Sequence, residues 1–167
     1  MVVDGPPAQV SWTWRGIAAV FLVVWCVVWD GMLASFALRL IAGGEPAAVL
    51  MLSGHALAGV AVTYLTAAML VNRTTITVGS ERVAVEHGPL PWRGQVDLPA
   101  PGVSQVYVTE VRGRKGARSW TLHAELEDGT SVQLVSGLAT PGRARFLEDW
   151  LEARLGLVDR PVAGEHA

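Results

Sequence analysis

The chain lacks most of what would announce a chemistry. Cys26 is the only cysteine among 167 residues, which excludes an internal disulfide and any cysteine-based zinc or iron–sulfur site within one chain. Four histidines are present, and only His87 and His123 lie in the part that reads as folded in water. No G-x-S-x-G elbow surrounds Ser119 or Ser136, and no glycine-rich phosphate loop leads into a helix. The neighbouring acids Glu127 and Asp128 belong to a turn rather than a cleft. A formal net charge of −2 offers none of the basic excess that nucleic-acid binding needs. The expectation is a non-enzyme with no cofactor, no metal site and no nucleic-acid partner.

Charge is also missing unevenly. From residue 16 to residue 71 the only formal charges are Asp30, Arg39 and Glu45, whereas the remainder is charged and balanced. Such a shift marks a boundary between apolar solvent and water. Two windows, 16–38 and 47–71, exceed the roughly 20 residues a helix needs to cross a bilayer. The segment RLIAGGEP between them reads as a short turn, so residues 16–71 form a transmembrane helical hairpin with both ends on one side. Arg15, Arg73, Arg82 and Arg93 flank those ends, against Arg39 alone at the turn. Positive residues favour the cytoplasm, which predicts a multi-pass protein of the inner (cytoplasmic) membrane with both termini cytoplasmic. A poor basic leader and the interrupting Asp30 weigh against a signal peptide.

Residues 1–15 read as an interfacial segment, with Trp12, Trp14 and Arg15 as anchor. Trp25 and Trp29 form a bulky stripe with Phe21 and Phe36, a surface for lipid or for another protein's helix. Asp30 and His55 are the ionisable residues inside the spans. Counted from the turn ends of the two spans they fall at nearly equal depth. Cys26, Asp30 and Ala34 share one face, and His55, Gly59, Thr63 and Ala67 another. Small residues permit close approach, and an intramembrane carboxylate needs a partner. The sequence therefore predicts an intramembrane Asp30–His55 contact, with Gly59, Thr63 and Ala67 as packing positions. It serves either as a register-fixing hydrogen bond or as a functional polar pair.

After Arg73 the pattern turns to period two. Ile76 and Val78 alternate with Thr75 and Thr77, and Val83 and Val85 alternate with polar neighbours. Gly79–Ser80 and GPLPWRG read as turns. QVDLPAPG, VSQVYVTEV, SWTLHAEL and SVQLVSGL read as further strands, and EDGT as a hairpin turn whose Asp-Gly pair accepts positive φ. His123 should face solvent beside Glu125. The period then changes to that of a helix in TPGRARFLEDWLEARLGL. Thr140 is its N-cap, Pro141 its first residue and Gly156 its stop, with Phe146, Leu147, Trp150, Leu151 and Leu155 as its apolar stripe. Residues 158–167 read as a disordered tail. Six or seven antiparallel strands closed by one helix make an α+β protein. The sequon Asn72-Arg73-Thr74 is discounted, since it abuts the membrane on the cytoplasmic side.

The order of ERVAVEHGPL, VDLPAPGVSQVYV, an Asp-Gly hairpin and a closing helix resembles the bacterial pleckstrin-homology-like (PH-like) domains. Two spans followed directly by such a domain are similar to small bacterial membrane proteins of that group. The likeness rests on the Ser80-Glu81-Arg82 turn, Gly88, and the run Leu98-Pro99, Val103 and Val106. It implies a fold for residues 72–157, a PH-like antiparallel β-barrel or sandwich, more than it implies an activity.

One charged element stands out in that domain. VRGRKGARSW carries Arg112, Arg114, Lys115 and Arg118 on a hairpin, a candidate contact for lipid or a partner. Eukaryotic members of the superfamily bind headgroups at a different loop, so that site does not transfer by position. A charged, soluble hairpin tip is the plainer reading. The function expected is a membrane-anchored, non-catalytic recognition module that binds a membrane or membrane-proximal protein, with homo-oligomerisation open. The alternatives are an accessory subunit of a transporter or envelope-stress system acting through Asp30 and His55, or an anionic-lipid sensor using residues 112–118.

Overall fold

The structure is a computed structural model and describes residues 7–44, 46–113 and 116–158. The tail expected over 158–167 lies, beyond Val158, outside the described residues, as do Arg114 and Lys115. In chain order the first elements are β1 (Ala8–Thr13), α1 (Ile17–Gly43), α2 (Pro46–Val71), β2 (Arg73–Val78), β3 (Arg82–Gly88) and β4 (Val96–Pro99). A 3-10 turn (Ala100–Gly102) then leads to β5 (Val103–Arg112), β6 (Arg118–Leu126), β7 (Ser131–Leu138) and α3 (Pro141–Leu155). The chain divides into two compact units. One comprises Thr13–Arg73 with Gly88–Leu90, and the strands and α3 make the other.

The first unit is a helical hairpin. Both helices are long and apolar enough to cross a membrane, and they are apolar on every side, unlike the one-sided helix of a soluble domain. Phe21, Val27, Val28, Leu38, Leu50, Met51 and Leu57 all point outward. The faces that meet are made of small residues, with Ala19, Cys26, Gly59 and Ala68 buried. The turn is tighter than RLIAGGEP suggested, because α1 continues through Arg39 to Gly43. Gly44 stops it in the left-handed region at φ 69°, and its N–H bonds back to the Ile41 carbonyl at 3.2 Å. A residue without Cβ enters that conformation at little cost.

The second unit is α+β. Its strands form a four-stranded sheet, β1-β2-β3-β4, and a three-stranded sheet, β5-β6-β7. They do not close into a barrel. Between the sheets the chain runs through Pro99 and Pro101, which have no N–H for a ladder, and β4 ends at Pro99 where the 3-10 turn begins. Ala100 instead donates its N–H to the Glu81 carbonyl at 2.9 Å, holding that turn to the start of β3. In the second sheet Val106 pairs with Ala124 and Val108 with Leu122, one row of an apolar face. These residues join Ile76, Val83, Val85, Ala144, Leu147 and Leu151 in a single core.

Two sequence readings change here. The segment 1–15 was expected to be interfacial and contains a strand, β1, in which Ala8, Val10 and Trp12 alternate with exposed Gln9, Ser11 and Thr13. Trp12 packs against the core, with the Arg143 guanidinium 4.6 Å from its ring centre. In α3 the buried positions are Ala144, Leu147 and Leu151, while Phe146 is 55% exposed. Ala144 takes the place expected for Phe146 because it falls three and seven residues before Leu147 and Leu151, on their face. The Asp-Gly hairpin forms as read. Gly129 has φ 79° and Leu126 donates its N–H to the Thr130 carbonyl at 2.9 Å.

Candidate functional site

Three groups of residues merit weighing, beginning with the polar seam of the helical hairpin. The Thr63 hydroxyl donates to Asp30 Oδ2 at 2.9 Å. One turn nearer the chain termini, Cys26 Sγ lies 3.3 Å from Thr66 Oγ1. The Thr66 hydroxyl already donates to the Val62 carbonyl at 2.8 Å, so the thiol is the donor to Thr66. Gly59 sits beneath Asp30, where an added Cβ would lie 3.0 Å from Oδ1 and 3.4 Å from the Trp29 ring. Ala67 is half-buried one turn beyond Thr63.

His55 does not join this seam. No hydrogen bond or ion pair links it to Asp30 among the described residues; its ring tilts against Trp29 with centroids 5.9 Å apart. Trp29 in turn stacks on Trp25 at 5.3 Å. The sequence reading counted depth from residue 38, and α1 runs to Gly43. Those extra residues move the position level with Asp30 by more than one turn, from His55 to Gly59. Thr63, one turn farther on the same face, supplies the hydroxyl.

The basic hairpin is less free than its composition suggested. Arg112 and Arg118 are cross-strand partners at its neck. Both guanidinium groups reach Glu110 Oε1, at 3.1 and 3.4 Å, and the Glu110 side chain is largely buried. Within the hairpin the Gly113 N–H bonds the Ala117 carbonyl at 2.7 Å, and Gly116 adopts φ 75°. Arg114 and Lys115 lie outside the described residues. Two of the four charges expected to meet a ligand thus share one carboxylate, that of Glu110 on β5.

The third group escaped the sequence reading. The chain passes from α2 to β2 through Asn72 alone, and Asn72 is fully buried. Its side-chain amide clamps the backbone of Leu90 from both sides, since Leu90 N–H donates to Oδ1 at 2.8 Å and Nδ2 donates to the Leu90 carbonyl at 3.0 Å. Its own N–H caps the Ala68 carbonyl at 2.8 Å, and its carbonyl accepts the Trp14 N–H at 3.2 Å. The Arg15 Nε–H donates to the Leu70 carbonyl at 2.7 Å, satisfying an orphan group at the end of α2. Every polar atom of Asn72 is in use, which closes the sequon for a reason other than compartment.

The loop held by that clamp is also closed at its base. His87 Nδ1 lies 3.0 Å from Thr74 Oγ1 and the ring bonds the Gly94 backbone, while Gln95 Nε2 donates to the His87 carbonyl at 3.4 Å. Burial lowers the His87 pKa below its ordinary value, against an opposing upward pull from Gly94. On the second sheet His123 is half-buried rather than solvated. It stacks on its cross-strand partner Tyr107 with centroids 5.1 Å apart and lies 3.1 Å from the Thr109 hydroxyl. Burial lowers its pKa as well. Tyr107 reaches on to Ser131 Oγ at 2.6 Å. This is a cross-strand polar pack of the kind that stabilises sheets, without a nucleophile–base pair.

No protein-family model matches this chain, and no curated protein does either. The PH-like likeness therefore rests on its own residues. Its Ser80-Glu81-Arg82 turn is the one that Ala100 bonds, and Arg82 is the register partner of Pro99.

Proposed function

We propose that this protein is a membrane-anchored, non-catalytic recognition module. In this reading α1 and α2 cross the inner membrane as a hairpin, and a PH-like domain lies on the cytoplasmic side, where it binds a membrane or membrane-proximal protein. The observation that carries it is the single-residue passage from α2, ending at Val71, to β2, starting at Arg73. A helix clothed in outward apolar side chains is joined without a linker to a domain whose apolar side chains are inside. Tethering of that kind raises the effective concentration of the domain for anything else in the same layer, so a weak surface suffices.

Both alternatives have less behind them. A relay through Asp30 and His55 would need the two groups in contact, and the Asp30 carboxylate is engaged by Thr63. A lipid sensor at residues 112–118 would draw on arginines that already share Glu110.

The test is native mass spectrometry of the full-length protein released from its own membranes in lipid nanodiscs. A second polypeptide at fixed stoichiometry is the expected result. A protein that carries only retained anionic lipid, alone or as a homo-oligomer, would overturn the adaptor reading in favour of lipid sensing.

A further inference from the structure

We propose that copies of this chain assemble side by side in the membrane through their helical hairpins, with Asp30 of one copy meeting His55 of the next, in a closed ring. This rests on the membrane reading of α1 and α2 above and goes beyond it by naming what covers their two faces.

The faces follow from the line of contact between the helices. Gly59 lies on that line, and an added Cβ there would meet both Asp30 Oδ1, at 3.0 Å, and the Trp29 indole, at 3.4 Å. Asp30 and Trp29 are successive residues, about 100° apart around α1, so they stand on opposite sides of the line. On α2 the residues four before and four after Gly59 are His55 and Thr63, displaced by about 40° in opposite senses. The contacts match that division. Thr63 donates to Asp30 at 2.9 Å on one side, and His55 lies against Trp29 at 5.9 Å on the other. The hairpin carries an acid on one face and a base on the opposite one.

Neither group is fully used within its own chain. A carboxylate accepts about four hydrogen bonds, and Thr63 supplies Asp30 with one. His55 is exposed on α2. Hydrocarbon offers a polar group nothing, so an intramembrane acid or base takes a protein partner. His55 is one turn from Gly59, which puts it within about 6 Å of Asp30 in depth. Two side chains and the ordinary tilt of a membrane helix span that offset.

The relief of the faces agrees with the charge. Ala34, Ala67 and Ala56 stand four or seven residues from Asp30 and Thr63, so the acidic face is shallow. At the same spacings from Trp29 stand Trp25, stacked on it at 5.3 Å, and Phe36, which are 44% and 52% exposed. The basic face is therefore raised, and small residues are what let bulky neighbours approach in lipid. A two-fold contact would set acid against acid or base against base. Unlike faces join head to tail instead, and copies that cross the membrane in one sense turn about an axis along its normal. A closed ring leaves no acid or base unmatched, whereas an open row leaves one of each.

Oxidative crosslinking of the full-length protein in its own membranes tests this. In a Cys26→Ser background, Ala34→Cys and Phe36→Cys place thiols on the two faces at nearly one depth. Two residues apart on a helix, they cannot join within a chain. The double variant should give a ladder of dimers, trimers and higher species, and neither single variant should crosslink. Adding Asp30→Asn, which keeps an acceptor for Thr63, should abolish the ladder, as should His55→Phe. Asp30→His together with His55→Asp should restore it. Without any substitution, native mass spectrometry in nanodiscs should find the chain as a trimer or larger, and a monomer or dimer would overturn the ring. So would crosslinked dimers of either single variant, a ladder that survives Asp30→Asn, or crosslinks only to a different polypeptide. Release of the protein from membranes by an alkaline carbonate wash would sink the membrane reading itself.

Discussion

The two units use the same residue types in opposite ways. In the helical hairpin, large apolar side chains point outward and the contact between helices is made by alanine, glycine, threonine and cysteine. In the strand unit, valine, leucine and isoleucine face inward from two sheets and one helix, and polar groups cover the outside. The difference teaches what each unit treats as solvent. A sheet that hides its apolar face is solved for water. A helix pair that shows large apolar side chains on its outside is long and apolar enough to cross a membrane, and in hydrocarbon close backbone approach and hydrogen bonds would take the place of the hydrophobic effect.

The sharpest way to break that comparison is to cut matched leucines. Leu122 is completely buried in the sheet core and Leu57 is 73% exposed on α2. Leu122→Ala should cost about 3 kcal/mol through lost burial and the cavity left behind. In a bilayer Leu57→Ala should cost close to nothing, because lipid is as apolar as leucine. Thermal unfolding of the full-length protein in nanodiscs checks both. Equal losses would mean that α2 is not lipid-facing.

Next in size is the clamp on Leu90. Asn72→Ala leaves a donor and an acceptor of Leu90 unsatisfied, at about 1–3 kcal/mol each if they stay buried. Amide exchange at Leu90 should accelerate by orders of magnitude. Asn72→Asp keeps the bond from Leu90 N–H but sets a carboxylate against the Leu90 carbonyl, so it should rescue little.

The polar seam sharpens the comparison from the hydrocarbon side. Gly59→Ala drives a Cβ to 3.0 Å from Asp30 Oδ1, and should destabilise the hairpin by about 1–3 kcal/mol through overpacking. Asp30→Asn keeps an acceptor for Thr63 and should be mild. Asp30→Ala removes it and should cost roughly 0.6–1.7 kcal/mol, the range of interhelical bonds in lipid. Crosslinking yield between cysteines placed at facing positions of α1 and α2 reports both. A large loss of function from Asp30→Asn with an intact hairpin would return weight to a functional carboxylate.

The smallest expected effect is that of pH on the strand unit. Burial holds His87 and His123 below their ordinary pKa values, so the unfolded chain takes up protons first as pH falls. Stability should therefore be unaffected above the unfolded value near 6.5. It should decline as pH drops from there to the folded values, and level off below them. Both rings are partly solvated, so the slope is shallow. His123→Gln should remove its share of that slope without touching the part due to His87.

Much of this was legible before any coordinates. The two apolar windows, the closing helix from Pro141 capped by Thr140, and the turn at Gly129 follow from local pattern, because each depends on neighbours within one or two turns. β1 was legible too, in the strict alternation of AQVSWT, although its Trp12, with Trp14 and Arg15 just beyond the strand, equally fits an interfacial anchor. What the sequence could not decide was how far α1 continued past residue 38. That depended on Gly44 and the return of α2, and it set which residue stood opposite Asp30.

Sequence by itself determined which segments shun water, where the period changes from helix to strand and back, and which residue types were at hand for the seam. Only tertiary structure decided that Asp30 meets Thr63, that Arg112 and Arg118 share Glu110, and that an amide after α2 grips a backbone at Leu90. The reason is one of range. Solvent preference and backbone period are properties of single residues and short windows, whereas a hydrogen bond between residues 72 and 90 exists only once two helices and a strand hairpin have fixed where each end of it lies.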